Sequence, residues 1–151
     1  PMLTYVAGQF VGHGQIPTVA AGEAFTVGLG IDSSLRAGRE LVDKQESVQG
    51  GNQVVEMTYR LTVENFADAP RAVRLLDRVP TDEGKELRVT LVDPSVELSE
   101  DEAYQAQRKK GILRWDVNVP GQAVDGDALT VTYTVRLEHD RQKRITETTS
   151  R

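Results

Sequence analysis

Strict alternation of apolar and polar residues marks two long segments of the chain. In the first, Val55, Met57, Tyr59, Leu61 and Val63 are apolar and the residues between them are polar or charged. The same period returns from residue 129 to residue 137. Side chains of a strand point alternately to opposite faces, whereas a helix would spread these residues around its circumference. Both segments therefore predict β-strands with one buried face and one wet face.

Shorter alternating segments and turn residues extend this pattern along the chain. The predicted shorter strands cover Phe25 to Leu29, Val73 to Leu75, Leu87 to Leu91 and Leu113 to Val119, with weaker ones at Leu3 to Phe10, Gly12 to Val19 and Leu35 to Val42. Gly38 interrupts the last of these, which is typical of a bulge or an edge strand. About eight or nine short strands predict an all-β fold, a two-sheet antiparallel β-sandwich of immunoglobulin-like type.

The inward positions of these strands predict the core. Its members are Met57, Tyr59, Leu61, Val63, Leu87, Val89, Trp115, Leu129, Val131, Tyr133 and Val135. Residues 1–139 are expected to form one domain, since 151 residues suit a single core. Residues 140–151 contain one apolar residue, Ile145, and are expected to be a flexible tail.

One charged segment near residues 99–110 breaks the strand pattern. Ser99 and Glu102 have the spacing of a capping box, Arg108 to Lys110 place positive charge where a helix would end, and Gly111 can terminate it. The same residues are compatible with a charged loop between two strands, because an isolated helix this short is marginal in water. The sequence leaves both alternatives open.

Composition excludes several classes of function. The net charge of -5 argues against nucleic acid as a ligand, since a phosphate backbone needs a concentrated positive field. No apolar run reaches the roughly 20 residues of a membrane helix, so a soluble domain without direct membrane insertion is expected. The chain has no cysteine, and so neither a disulfide framework nor a thiolate nucleophile.

Candidate chemistry is sparse. His13 and His139 have no metal-spaced partner and are interpreted as solvated side chains. The glycines of residues 28–33 lack the third glycine of a dinucleotide fingerprint and precede no helical pattern. Asp125 and Asp127 lack the further ligands of a calcium loop, so a hairpin turn is expected there. The acidic run Glu97, Glu100, Asp101 and Glu102 is interpreted as a solvated charge run. No catalytic, cofactor or metal residue is predicted, and the chain is not expected to be an enzyme.

Asp77 has the most unusual position of the acidic residues. It continues the inward phase of Val73, Leu75 and Val79, so its carboxylate is predicted to point toward the core, where it must find donors or become neutral. The structural hypothesis pairs it with an arginine such as Arg39 or Arg78, or with backbone amides of residues 81–84. The functional alternative makes it an acid in a binding pocket.

Trp115, the chain's one tryptophan, is predicted to anchor the core. A sugar-stacking platform is the alternative, and three or more exposed aromatic residues on one face would favour it. The residues that decide this are Tyr5, Phe10, Tyr59, Tyr104, Trp115 and Tyr133.

An ordered set of short segments resembles a known bacterial domain. The segments are Leu29-Gly30 with Asp32, Leu35 and Arg39; Tyr59 to Asn65; Leu76 to Pro80; Gly111 to Asp116; Pro120-Gly121; and Leu129 to Val135. This order is similar to the C-terminal domain of the mucoidy-inhibitor-like family, a domain of unknown function (DUF4139), over roughly residues 8–137. The resemblance implies a fragment of a longer, often secreted protein with an N-terminal β-domain and a coiled-coil insert. It implies an extracytoplasmic or envelope location, and it supplies no catalytic residues.

Two function classes follow from these observations. The preferred hypothesis is a noncatalytic interaction or structural module that packs on other domains of its parent or on a protein partner through a sheet face or an edge strand. Self-association is compatible with it. The alternative is a carbohydrate-binding, other ligand-binding or hydrolytic domain with an acidic site.

Overall fold

A computed structural model describes residues 2–6, 8–81 and 87–140. Strands take up 56% of the described residues, which confirms the all-β prediction. The eight strands of the described residues are β1 (Met2–Val6), β2 (Gln9–Gly14), β3 (Leu35–Gln49), β4 (Asn52–Asn65), β5 (Arg71–Arg78), β6 (Leu87–Val92), β7 (Ile112–Val119) and β8 (Leu129–Asp140). One helix, α1 (Glu102–Arg108), precedes β7, and a short 3-10 turn covers Asp125–Asp127. The strands form three antiparallel sheets, where the sequence predicted two.

Residues of the first compact unit, Pro1–Ser34, form a β-hairpin followed by irregular chain. Strands β1 and β2 pair antiparallel, with Tyr5 opposite Phe10, and Gly8 takes a positive φ of 82° in the connection. The segment predicted as one strand from Leu3 to Phe10 is therefore two strands joined by a turn. The rings of Tyr5 and Phe10 meet edge to face at 5.6 Å between centroids.

The second compact unit, Leu35–Arg151, contains a four-stranded sheet in the order β3-β4-β8-β6. Gly50 and Gly51 connect β3 to β4 with φ values of 59° and 90°, as a tight hairpin turn between right-twisted strands requires. Strand β8 pairs with β4 so that Tyr59 faces Tyr133 and Leu61 faces Val131. The alternating residues of β4 and β8 consequently share one face of the sheet.

Strands β5 and β7 form a second sheet in this unit, with Leu75 opposite Trp115. The main core lies between the two sheets and joins Leu61 of β4, Trp115 of β7 and Val131 of β8. A smaller cluster, built on Val63 and Val119, continues it toward one end. This two-layer arrangement is the predicted sandwich; its immunoglobulin-like type stays a prediction.

Most of the predicted core is confirmed. Six residues are buried, namely Leu61, Val63, Trp115, Val131, Tyr133 and Val135. Three more pack against the core while partly exposed, namely Tyr59, Val89 and Leu129. Met57 and Leu87 are only partly buried.

Within residues 99–110, the chain forms a helix and not a charged loop. The helix begins later than the predicted capping box would place it. Asp101, and not Ser99, is the N-cap, and its carboxylate accepts a hydrogen bond from the amide of Tyr104 at 3.1 Å. The Tyr104 ring is fully buried, and its hydroxyl donates to the carbonyl of Ile112 and accepts from the amide of Arg114. The buried ring and the two hydrogen bonds of Tyr104 hold α1 against β7. Among the described residues no helix is long and apolar enough to cross a membrane.

Two strand predictions in the first unit are wrong. Phe25 to Leu29 forms no strand, and β2 ends at Gly14, so the predicted strand from Gly12 to Val19 is largely absent. Alternation of apolar residues is insufficient there because no neighbouring strand supplies backbone partners, and glycines interrupt the segment. The expected tail lies outside the described residues except for Asp140, which ends β8.

Candidate functional site

Asp77 lies at the end of β5 and reaches across the gap between the two sheets of the sandwich. One carboxylate oxygen, Oδ2, accepts a hydrogen bond from Nε of Arg39 on β3 at 2.8 Å and a second from the hydroxyl of Tyr133 on β8. The other oxygen accepts from the backbone amide of Arg78 at 2.7 Å. The predicted pairing of Asp77 with an arginine is confirmed, and residues 82–84 of the alternative amide site lie outside the described residues.

Three aromatic rings continue this contact into the core. The guanidinium of Arg39 stacks over the Tyr59 ring at 3.8 Å from its centroid. Tyr59 contacts Tyr133 at 5.6 Å between centroids, and Tyr133 contacts Trp115 at 5.4 Å. Trp115 completes the row by donating its indole N–H to the carbonyl of Val96 at 3.0 Å. We call the set Arg39, Tyr59, Asp77, Trp115 and Tyr133 the aspartate cluster.

Electrostatics keep Arg39 and Tyr133 in the protonated forms that donate to Asp77. Burial raises the pKa of the Tyr133 hydroxyl well above its usual range, and the hydrogen bond to Asp77 raises it further, so this group is a donor at neutral pH. Partial burial acts to lower the pKa of Arg39, but the hydrogen bonds to Asp77, Tyr59 and Tyr133 and the charge of Asp77 together outweigh it, so the pKa lies above its usual range. The carboxylate of Asp77 is only 12% exposed and both of its oxygens are engaged. It is poorly placed to take a proton from a substrate.

A second ionic network covers the outer face of the β5–β7 sheet. Asp116 on β7 accepts from Arg114 at 2.7 and 2.9 Å, from the hydroxyl of Ser99 at 2.6 Å and from Arg74 on β5 at 2.8 Å. Arg114 also pairs with Asp101, the N-cap of α1. The hydrogen bonds from Arg114, Ser99 and Arg74, in that order of importance, hold the pKa of Asp116 well below its usual range. The network ties the start of α1 to the β5–β7 sheet.

A third tie joins the ends of β4 and β7 through Asn65, which is fully buried. Its side-chain amide donates to the carbonyls of Ala69 and Pro120 at 2.9 Å, and its oxygen accepts from the amide of Ala67 at 3.0 Å. A Cβ atom on Gly121 would lie 1.8 Å from the carbonyl oxygen of Asp68, so only glycine fits there. These residues fix a loop, and both polar side-chain atoms of Asn65 are used in holding it.

The remaining candidates of the sequence are not brought together. His13 is exposed on β2, whereas His139 lies near the end of β8 and contacts the carbonyl of Asp140. Asp125 and Asp127 lie in a 3-10 turn between β7 and β8, but these strands belong to different sheets, so the predicted hairpin turn is wrong. Residues 28–33 are exposed and form no helix. Within the part of the chain that the structure describes, no group of three or more histidine and carboxylate side chains could hold a metal ion.

The aromatic residues do not form a sugar platform by the criterion set from the sequence. Tyr104, Trp115 and Tyr133 are fully buried. Tyr5 and Phe10 are the exposed members of the set, at 59% and 55%. Two exposed aromatic residues are fewer than the three that would favour carbohydrate.

Comparison with known proteins assigns the chain to a family. A family model described as Domain of unknown function (DUF4139) matches residues 5–141. The chain belongs to the DUF4139 family. No curated protein and no solved structure matches it. The mucoidy-inhibitor-like relationship is not tested by these comparisons and stays a prediction.

The segments that suggested DUF4139 contribute residues to the aspartate cluster, to the ionic network around Asp116 and to the loop held by Asn65. Arg39, Asp77 and Trp115 belong to the aspartate cluster, and Asn65 and Gly121 fix the loop beside β4 and β7. Sequence reasoning missed Tyr133 as the partner of Asp77, and it missed the network around Asp116. Alternation assigns a residue to a face, but it does not say which side chains meet across two sheets.

Proposed function

We propose that this DUF4139 domain is a noncatalytic β-sandwich module that binds a protein partner or other domains of a longer protein. The observation that carries the proposal is the hydrogen bonding of two acidic residues within the chain. Asp77 and Asp116, the carboxylates with the most elaborate surroundings, use both oxygens in bonds to their own chain. A general base or nucleophile must instead reach a substrate.

The buried aromatic residues support the same proposal. Trp115, Tyr104 and Tyr133 contribute to packing, and their polar atoms bond within the chain. Among described residues that are not exposed, every buried polar side-chain atom has a partner. A binding pocket for a polar small molecule usually presents several unpaired groups to its ligand. The bacterial envelope, implied by the resemblance, is the proposed setting.

Affinity capture from the native host tests this proposal. The chain is immobilised as bait, and a Gly121→Val chain serves as control, since its side chain would overlap the carbonyl oxygen of Asp68 and prevent the native loop. A protein retained in near-stoichiometric amount by the wild-type chain alone is the expected result. Turnover of ester, phosphoester or glycoside substrates that Asp77→Asn abolishes, with an unchanged melting temperature, would refute it.

A further inference from the structure

The positively charged residues of the described chain fall into two groups. Those with an ion-pair partner include Arg36, Arg39, Lys44, Arg60, Arg74, Arg114 and Arg136. Five others form no ion pair within the described residues, namely Arg78, Arg88, Arg108, Lys109 and Lys110. In a chain of net charge -5, such a set calls for an explanation.

Two of the five, Arg108 and Lys109, line one groove at the end of the sandwich. The groove has a volume of about 300 Å³ and is lined by Val79, Pro80, Thr81, Leu87, Val89, Arg108, Lys109 and Gly111. Lys110 follows Lys109 directly, whereas Arg88 alternates with Leu87 and Val89 on β6 and so lies on the opposite face of that strand. The groove therefore has mainly apolar walls from β6 and the end of β5, and a cationic rim from the end of α1. We call it the basic groove.

The backbone holds this rim in place. The amide of Val79 donates to the carbonyl of Gly111 at 2.8 Å, which brings the chain after α1 against the end of β5. Gly111 has a φ of 77°, and a Cβ atom on it would lie 2.3 Å from the carbonyl oxygen of Val79. Positive charge in the last turn of a helix is also favoured by the helix dipole. A helix of seven residues gains little from this effect, so the dipole does not account for the cations at the end of α1.

Among the described strands, an edge strand forms one side of the basic groove. Strand β6 is the last in the order β3-β4-β8-β6 and pairs with β8 without a register shift. The opposite edge strand, β3, carries a bulge between Leu41 and Asp43 together with many charges, both of which discourage strand addition. The β6 edge therefore suits an added extended chain better than β3 does.

We propose that the basic groove binds an acidic, partly apolar peptide segment of a partner protein. Arg108 and Lys109 would attract its carboxylates, Leu87 and Val89 would contact an apolar side chain, and the β6 edge would pair with its backbone. A peptide fits better than a lipid, because a volume of about 300 Å³ suits one or two side chains and is small for a whole acyl chain. The inference rests on the proposed function and names the partner's chemistry.

Fluorescence anisotropy with a designed probe tests the inference on the full chain. The probe is a fluorescein-labelled peptide of alternating glutamate and leucine, and the same peptide with lysine for glutamate is its control. We expect saturable binding of the acidic peptide only, weakening as salt rises. The double variant R108Q/K109Q should bind about tenfold more weakly, since rim charges mainly tune attraction and register.

A matched variant separates local charge from net charge. R36Q/K44Q also removes two positive charges, but from β3, and its binding should stay within about twofold of wild type. Melting temperatures of both doubles show whether they are folded. Equal losses in the two variants, no saturable binding by the wild type, or tighter capture by anionic phosphatidylglycerol vesicles than by the peptide would each overturn the inference.

Two further results distinguish the possible failures. The sequence has carboxylates at Asp82, Glu83 and Glu86, between the lining residues Thr81 and Leu87. If the triple variant D82N/E83Q/E86Q binds the peptide and the wild type does not, the cations serve the chain itself and the inference is wrong. If a host protein captured by the wild-type bait is retained equally by R108Q/K109Q, the groove inference fails while the proposed module stands.

Discussion

Replacing Asp77 by asparagine gives the sharpest test of the aspartate cluster. The substitution keeps the size of the side chain and removes its charge. In the native cluster Oδ2 accepts from Arg39 and Tyr133, and Oδ1 accepts from the amide of Arg78. An asparagine can present only one acceptor oxygen, so its NH₂ group must face a donor on one side or the other.

The expected cost follows from these bonds. A hydrogen bond to a charged group contributes about 1.5–3 kcal/mol and a neutral one about 0.5–1.5 kcal/mol, so neutralising the acceptor of two bonds loses about 2 kcal/mol. The Arg39 side chain is about half exposed, so solvent screening reduces the contribution of its bond to Asp77. The NH₂ group of the new asparagine would face a hydrogen-bond donor, which adds about 1 kcal/mol to the loss. We expect Asp77→Asn to lower the free energy of unfolding by about 2–3 kcal/mol.

Urea unfolding measured by tryptophan fluorescence is the assay, because Trp115 is the sole tryptophan and its ring contacts that of Tyr133. Asp43→Asn is the control, since among the described residues the Asp43 side chain bonds only to Gln45 on the exposed strand β3 and should change stability by less than about 0.5 kcal/mol. A double-mutant cycle with Tyr133→Phe should give a coupling energy of about 1 kcal/mol or more. A loss below about 0.5 kcal/mol for Asp77→Asn with an unchanged m-value, or a coupling near zero, would refute the reasoning.

Three further expectations concern the residues around the cluster. Trp115→Ala should cost about 3–5 kcal/mol by urea unfolding followed with circular dichroism, since the ring is fully buried, and a loss under about 1 kcal/mol would contradict that burial. Tyr104→Phe removes both bonds of the hydroxyl to β7, so a loss of about 1–2 kcal/mol and faster hydrogen exchange within α1 are expected, whereas unchanged exchange would show that the ring alone holds the helix. The carboxyl ¹³C resonance of Asp116 should titrate below the usual aspartate range. Its folded pKa is depressed, so its stabilising contribution is present above the unfolded pKa and is lost only as pH falls through the folded one; a midpoint near 4 would refute the network.

The strands of the sandwich could be predicted from sequence because their patterns are long or well bounded. Alternation over ten residues of β4 leaves no other interpretation, and the same holds for β8. The short alternation from Phe25 to Leu29 is ambiguous, since a strand also needs a neighbour and five residues do not specify one. The turn at Gly8 divided a segment that was interpreted as one strand.

The site was predictable only in part. The phase of β5 correctly placed Asp77 toward the core, and Arg39 was among its expected partners. Tyr133 lies 56 residues away on the other sheet, and no local pattern specifies such a contact. Tyr104 was missed as a core residue because α1 is too short to show an amphipathic period. That Arg108 and Lys109 have no ion-pair partner among the described residues depends on contacts between distant segments, which no local pattern specifies.

The central position of β4 has a consequence for how the protein is made. Its first neighbour, β3, lies just across the turn at Gly50 and Gly51, but its second neighbour is β8, the last strand of the described chain. Synthesis at about 5–20 residues per second leaves several seconds between the emergence of β4 and that of β8 from the ribosome. During this delay the nascent hairpin exposes an apolar face and an open backbone edge, the combination that favours aggregation. The vulnerable form of this protein is thus the unfinished chain, and a stop codon placed after Asn65 and before Leu129 is expected to produce insoluble material, while a chain that includes β8 stays dispersed.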